Sequence, residues 1–437
     1  MKKLRLVVIG NGMAGIRTLE ELLDLSPALY DITVFGAEPH PNYNRILLSP
    51  VLAGERSFDD IVLNPTSWYA ANGIRLLTGR TVVTIDRIRR RVIADDGTEA
   101  CYDRLLIATG SRPFKLPIPG NRLDGVIGYR DIADTETMLR TARTHRHAVV
   151  IGGGLLGLEA ANGLALRGMS VTVVHLGEWL MERQLDRAAA ELLQMELESR
   201  GLRFLLNRQT TDLLGDDRGR VRTVRLADGE TLPADLVVMA AGIRPNSELA
   251  QQAGLPCHRG ILVNDTLQTY DPRIYAVGEC VSHRGVGYGL VAPLFEQASV
   301  CANHLAMLGF SRYEGSVTST KLKVTGIELF SAGDFLGGEG TESITLRDPV
   351  AGVYKKLVLR GDRLVGACLY GDTRDGGWYL RQVRERRNLS DLRDRLMFGP
   401  TEHQDAPADG ETATDLAHRA HPMTAHGLPA SMTEQPA

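Results

Sequence analysis

Two runs of glycine in this chain share one design, Gly10-Asn11-Gly12-Met13-Ala14-Gly15 and Gly152-Gly153-Gly154-Leu155-Leu156-Gly157. In such a run the first glycine permits a tight turn and the second lets the backbone approach a pyrophosphate. The third lets a helix pack closely on a strand, with the phosphates at the helix N-terminus. Two dinucleotide sites on one polypeptide imply two electron carriers. Other residues suit the same chemistry. Glu38 lies where an acid can bond a ribose hydroxyl, although an exposed loop carboxylate fits that position as well. Arg45, within Pro41-Asn42-Tyr43-Asn44-Arg45-Ile46-Leu47-Leu48-Ser49, is either a bidentate phosphate donor or a surface arginine. Glu159, just inside the segment after the second run, is either a neighbour of a nicotinamide ring or a helix-start carboxylate favoured by the macrodipole.

The elements that position these residues are legible. Each glycine run follows an apolar stretch, Leu6-Val7-Val8-Ile9 or Ala148-Val149-Val150-Ile151, and opens a segment of helical periodicity. Strand, turn and helix in that order are what the fingerprint requires. The first unit continues through the strand Asp31-Ile32-Thr33-Val34-Phe35 and later through Arg104-Leu105-Leu106-Ile107-Ala108, which exits into Thr109-Gly110. The second has its own echo of that exit, Leu236-Val237-Val238-Met239-Ala240 running into Gly242-Ile243-Arg244-Pro245-Asn246. Its second strand, Ser170-Val171-Thr172-Val173-Val174, ends at His175 where a carboxylate would select the 2′-hydroxyl of NAD. Nothing at that position repels a 2′-phosphate, so NADH and NADPH both remain open. Arg183 is either a phosphate partner or a solvated side chain.

Composition sets no obstacle to this reading. The chain has 437 residues, 43% of them hydrophobic, and a formal charge of −3, enough for two or three cores and without the basic footprint of a nucleic-acid binder. No apolar run reaches the length of a membrane span, and Met1-Lys2-Lys3 leads straight into a core strand, so a cytoplasmic protein is expected. The five cysteines, Cys101, Cys257, Cys280, Cys301 and Cys368, form no Cys-x-x-Cys, which argues against an iron–sulfur or zinc site and against a redox dithiol; no metal is expected. All five read as buried or half-buried free thiols, with Cys280 left open because it directly follows Gly278-Glu279.

A third nucleotide-site feature lies downstream. Tyr275-Ala276-Val277-Gly278-Glu279-Cys280 reads as a short strand ending in Gly-Glu, and after a glycine loop Pro293 opens an amphipathic helix to roughly Leu308. Proline suits a first helical position. The positive end of that helix would stabilise the anionic edge of a reduced flavin beneath Ala292.

With these residues in place the chain resembles the two-dinucleotide flavoprotein reductases. Tyr275-Ala276-Val277-Gly278-Glu279 is similar to their second FAD signature, with Glu279 where most members have Asp. Tyr43-Asn44-Arg45, Leu48-Ser49, His175 with Trp179-Leu180-Met181-Glu182-Arg183-Gln184-Leu185-Asp186, and Gly278-Glu279-Cys280 resemble the flavin module of the NAD(P)H nitrite reductase large subunit. Pro50, where ferredoxin and rubredoxin reductases usually carry lysine, favours that branch. The resemblance implies an α/β fold with two Rossmann-like domains, an FAD-binding domain (1–113 and 244–314) split by an inserted NAD(P)-binding domain (114–243), then a small α+β interface domain (315–398).

It also implies roles. Gly10, Gly12, Gly15, Glu38, Arg45, Thr109, Gly110, Glu279 and the Pro293 helix would hold FAD. Gly152, Gly154, Gly157 and Glu159 would receive NAD(P)H, with Glu159 the candidate catalytic residue. Ala14, Ser49, Val82, Ala108, Leu155, His175, Gly242, Gly278 and Ala292 complete the cofactor-binding set. The implied activity is NAD(P)H-dependent reduction of FAD and onward transfer to a redox protein, a nitrate or nitrite reductase catalytic subunit or a ferredoxin-like acceptor. The alternatives are a ferredoxin or rubredoxin reductase of another pathway and a flavin redox sensor without turnover.

In the third region Tyr354-Lys355-Lys356-Leu357-Val358-Leu359 and Leu364-Val365-Gly366-Ala367-Cys368-Leu369-Tyr370 flank Gly361-Asp362, a hairpin signal. Arg381, Arg384, Arg386 and Arg387 make a basic helix that either docks an acidic partner or is simply solvated. Residues 399–437 are poor in apolar side chains and read as a disordered tail; its histidines His403, His418, His421 and His426 lack metal-ligand spacing.

Overall fold

The computed structural model describes residues 3–400 apart from 323 and 325. The histidines of the tail and the tail beyond Pro400 lie outside the described residues.

Strongly apolar, β-branched runs form the central strands because both of their faces are covered. In the first sheet Leu4–Ile9 lies between Tyr30–Phe35 and Arg104–Ile107, all parallel, with Ile274–Ala276 and Arg75–Leu77 at the edges. The second sheet repeats this plan. His147–Ile151 lies between Ser170–Val174 and Leu236–Met239, with Val126–Ile127 and Arg203–Leu205 at its edges. Each is joined to its exit strand through an antiparallel meander, Val82–Asp86, Arg91–Ala94 and Glu99–Cys101 in one, Thr210–Gly215, Val221–Leu226 and Thr231–Pro233 in the other. The internal repetition is therefore a repetition of whole supersecondary units.

The chain passes from the first sheet to the second and back through one narrow ribbon. Ser111–Pro113 pairs antiparallel with Ile243–Pro245, and the Asn246 side chain donates to Thr109 O at 2.9 Å while Thr109 Oγ1 donates back to Asn246 O at 2.7 Å. The two glycine-rich exits thus clasp each other.

The third region is a five-stranded antiparallel sheet with a helix, Gly376–Glu385, on one face. Val353–Arg360 and Arg363–Tyr370 form the hairpin that Gly361-Asp362 announced, with Arg360 facing Arg363 across it. That sheet is tied to the second nucleotide unit: Tyr354 Oη donates to Asp186 Oδ2 at 2.6 Å, and Lys356 Nζ lies 3.5 Å from the same carboxylate.

Three expectations need correction. The helix expected to begin at Pro293 begins at Val291 and runs to Leu305, so Pro293 is its third residue. It is tolerated there because the amide hydrogens of a first turn lack carbonyl partners in any case. The four arginines do not share one helix: Arg386 adopts a left-handed conformation as the C-cap at φ 52°, which places Arg387 beyond it. Cys101 is exposed, because it ends an edge strand whose end residues face solvent; Cys257 is half-buried and the other three are buried.

Candidate functional site

One cavity of about 2960 Å³ opens between the three sheets, well above the ~300–1,000 Å³ of an ordinary small-ligand pocket. The helices that follow the two glycine runs and the Leu290 turn begin on its wall, at Met13, Leu155 and Val291. Their first turns carry the unpaired amide hydrogens and partial positive charge that favour anions.

Most of the residues singled out in the sequence come together here. Gly10, Gly12, Ala14, Glu38, Arg45, Val82, Ala108, Thr109, Gly110, Leu155, Glu159, Gly278, Glu279 and Ala292 all line this space, as does Arg183. Gly15, Ser49, Gly152, Gly154, Gly157, His175, Gly242 and Pro293 do not. Several of these act from behind the wall. A Cβ on Gly152 would lie 2.4 Å from Ala240 O, one on Gly157 2.0 Å from Gly152 O, and one on Gly15 2.9 Å from Gly10 O. These glycines are needed for helix-to-strand contact, the packing role of the fingerprint. Gly12 and Gly154 differ, since nothing lies within 4 Å of an added Cβ at either. Backbone at these two positions faces open space, as approach by a phosphate requires.

The charged groups are organised in pairs. Arg45 is ion-paired with Glu38, which also accepts from Tyr43 Oη at 2.7 Å; the Arg45 guanidinium lies over the Tyr43 ring and donates to Arg130 O at 3.1 Å. Burial, with the Glu38 carboxylate adding to it, pushes the Tyr43 hydroxyl far above its usual range. Glu279 accepts from Ser111 Oγ at 2.8 Å and is ion-paired with Arg130. Glu159 is buried on the cavity wall and accepts from Ser49 Oγ at 2.7 Å, with Tyr129 Oη donating to that serine at 3.2 Å. Ser49 comes from the first unit and Glu159 from the second, so this bond crosses between them. Cys280 is fully buried and directs its Sγ at Val277 O (3.3 Å) and Ile107 O (3.7 Å), tying two strand ends together.

Sequence reasoning missed Arg130, Ser111 and Tyr129. A buried carboxylate such as Glu279 demands a donor or a cation, but Arg130 lies 149 positions away and no local pattern connects them. The helix that follows it, Ile132–Ala142 capped by Asp131, was the one available signal that the segment before it is fixed in place.

Residues 4–304 match the pyridine nucleotide-disulphide oxidoreductase family. The chain belongs to that family. It is accordingly an oxidoreductase, and residues 319–387 match the C-terminal domain of rubredoxin NAD⁺ reductase. A Bacillus subtilis nitrite reductase [NAD(P)H] is 53% identical over 90% of this chain and 48% of its own length. The assimilatory nitrate reductase electron transfer subunit of the same organism is 50% identical over 89% of this chain and 50% of its own. The chain thus spans about half the length of these two relatives. The putidaredoxin reductase–putidaredoxin complex is similar in structure, with a TM-score of 0.81 and 28% identity over 89% of this chain and 94% of that one. Among the described residues no helix is long and apolar enough to cross a membrane.

Proposed function

We propose that the chain passes electrons from NAD(P)H through FAD to a redox protein acceptor in assimilatory nitrate or nitrite reduction, in the cytoplasm. One observation carries the reading: the helix starts of both glycine turns face a single cavity, beside Glu159, Glu279 and the first turn of Val291–Leu305. In this reading residues 1–113 and 244–314 hold FAD, 114–243 receive the nicotinamide nucleotide, and 315–398 form the interface domain.

The residues fit FAD. Gly12 leaves the approach to the Met13 helix open, Glu38 and Arg45 stand together for ribose and phosphate, and Glu279 presents an acid where the ribityl chain would pass. The start of the Val291 helix offers positive potential to a reduced flavin ring. Held by these residues, FAD would supply two-electron hydride chemistry toward the nicotinamide and one-electron chemistry toward a protein acceptor. The chain's own contribution is orientation: the Ser49–Glu159 bond fixes the two units against each other at the place where donor and acceptor rings must meet. Glu159 is the candidate catalytic residue at that meeting point. The identity to the two Bacillus relatives supports the nitrate and nitrite assignment. Likeness to putidaredoxin reductase supports a second reading, a reductase for a ferredoxin-like protein.

The test is anaerobic addition of NADH or NADPH to the flavin-loaded protein. Loss of the yellow absorbance within the mixing time is expected. A chain that neither contains flavin nor takes up added FAD would overturn the reading. Reduction rates with an isolated ferredoxin and with a nitrate or nitrite reductase catalytic subunit separate the two acceptors.

A further inference from the structure

The two nucleotide units match hydrogen bond for hydrogen bond at the ends of their second strands. Phe35 pairs with Ile9 and Val174 with Ile151, each just before a glycine run, so Gly36 corresponds to His175 and Glu38 to Gly177. The Arg80 N–H donates to Gly36 O at 2.9 Å and the Arg208 N–H to His175 O at 3.0 Å. The Gly79 N–H donates to Glu38 O at 3.0 Å and the Asn207 N–H to Gly177 O at 3.1 Å. The backbones agree; the side chains have been exchanged.

Between each turn and its strand end a side chain fills the gap. In the first unit Asn11 supplies it, and a Cβ on Gly36 would lie 3.0 Å from Asn11 Cβ. In the second unit the strand end supplies it together with Leu180 from the returning segment, and a Cβ on Gly153 would lie 2.9 Å from His175 Cγ and 2.7 Å from Leu180 Cδ2. His175 Nδ1 accepts the Gly153 N–H at 3.1 Å, so the proton of the neutral ring is on Nε2. That nitrogen donates to Glu182 Oε2 at 2.6 Å, with Trp179 O at 3.1 Å. The segment that brings Glu182 back is pinned to the turn, since the Met181 N–H donates to Gly153 O at 2.9 Å. Its end point is the telling feature. A Cβ built on Gly177, the counterpart of Glu38, would lie 2.8 Å from Glu182 Oε2. A carboxylate absent from the second unit's strand end is restored by a side chain from five residues downstream.

We infer that Glu182, positioned by His175, reads the 2′-hydroxyl of the adenosine ribose of the nicotinamide nucleotide, so that the chain selects NADH over NADPH. This rests on the assignment of the second turn to the nicotinamide nucleotide. A carboxylate accepts from a ribose hydroxyl and repels a 2′-phosphate. Glu182 is 42% exposed and free to meet a ligand while His175 is held inside. Two of the nearby arginines are neutralised by carboxylates of their own. Arg208 is ion-paired with Asp228, as Arg80 is with Asp96 in the first unit; Arg187 is paired with Glu191, and Arg183 lines the central cavity.

Fragments that carry only the discriminating group provide the test. Calorimetric titration of the FAD-loaded protein with ADP-ribose and with its 2′-phosphorylated form should show the unphosphorylated fragment binding at least ~10-fold tighter. In Glu182→Gln the ratio should fall to within ~3-fold, whereas Glu182→Asp should keep most of it. The ratio of kcat/KM for NADH over NADPH should move in parallel, through KM. Equal binding of the two fragments by the parent chain, or a ratio unmoved in Glu182→Gln, would overturn the inference while NADH still bleaches the flavin. Binding of neither fragment by flavin-loaded protein would overturn the assignment of the second turn and this inference with it.

Discussion

Asp134 lines the central cavity, and burial together with its neighbour Asp131 pushes its carboxyl up to about 6 from an ordinary 3.8. The folded chain therefore binds that proton more tightly than the unfolded chain. Its contribution favours folding near and below pH 4 and is lost as pH rises through about 6. Asp134→Asn keeps the neutral form at all pH values. Its melting temperature should exceed that of the parent chain at pH 8, with the gap closing by pH 4; a gap of equal size at both would show that the charge is not what matters. The other carboxylates of the site are stabilised by specific partners, Glu279 by Ser111 and Arg130 and Glu38 by Arg45 and Tyr43. Glu279, Glu38 and Arg45 were recognisable in the sequence because their positions follow a motif. Arg130 was not, because an ion pair between distant residues leaves no trace in local spacing.

At the scale of the element, the strand, glycine turn and helix carry two kinds of glycine that the motif writes identically. Gly157→Ala would force a Cβ to 2.0 Å from Gly152 O, whereas Gly12→Ala meets nothing within 4 Å. Gly157→Ala should cost the chain about 1–3 kcal/mol of stability, read as a lowered denaturation midpoint without added nucleotide. Gly12→Ala should leave that midpoint within about 0.5 kcal/mol but lose FAD, because the methyl group occupies the space the pyrophosphate needs. Retention of flavin by Gly12→Ala would contradict the placement of FAD at the first turn. Elements of this kind were legible because their apolar periodicity and glycine spacing are local. The boundaries were less so: the expected start at Pro293 was displaced by two residues, and the basic helix ended before Arg386, since both ends are set by what the surrounding chain packs against.

Across the whole molecule, the third sheet closes the cavity and packs on the second nucleotide unit through a shared apolar cluster, Leu193 and Leu197 with Leu329 and Tyr370, that surrounds a buried polar tie. Asp186 accepts from the Ala189 N–H at 3.1 Å as the cap of helix Arg187–Ser199 and from Tyr354 Oη at 2.6 Å. Tyr354→Phe removes one donor from a buried carboxylate, and a loss of about 1–3 kcal/mol is expected in chemical denaturation. Asp186→Ala should lose more, since cap and tie go together. If Tyr354→Phe were as stable as the parent chain, the tie would be a contact without weight. Bleaching of the flavin by NADH should survive Tyr354→Phe, because both nucleotide turns lie outside the third sheet.

The sequence by itself determined the two repeated units, the family they resemble and most of the residues that meet in the cavity, because glycine turns and apolar strands are encoded within a few residues of one another. The tertiary structure alone decided which of those residues touch. It placed Arg130 on Glu279, Ser49 on Glu159, and the Glu182 carboxylate beside Gly177, the backbone counterpart of Glu38. Such pairings depend on chain segments that fold back through space, and burial then forces each charge to find a partner wherever along the chain that partner lies.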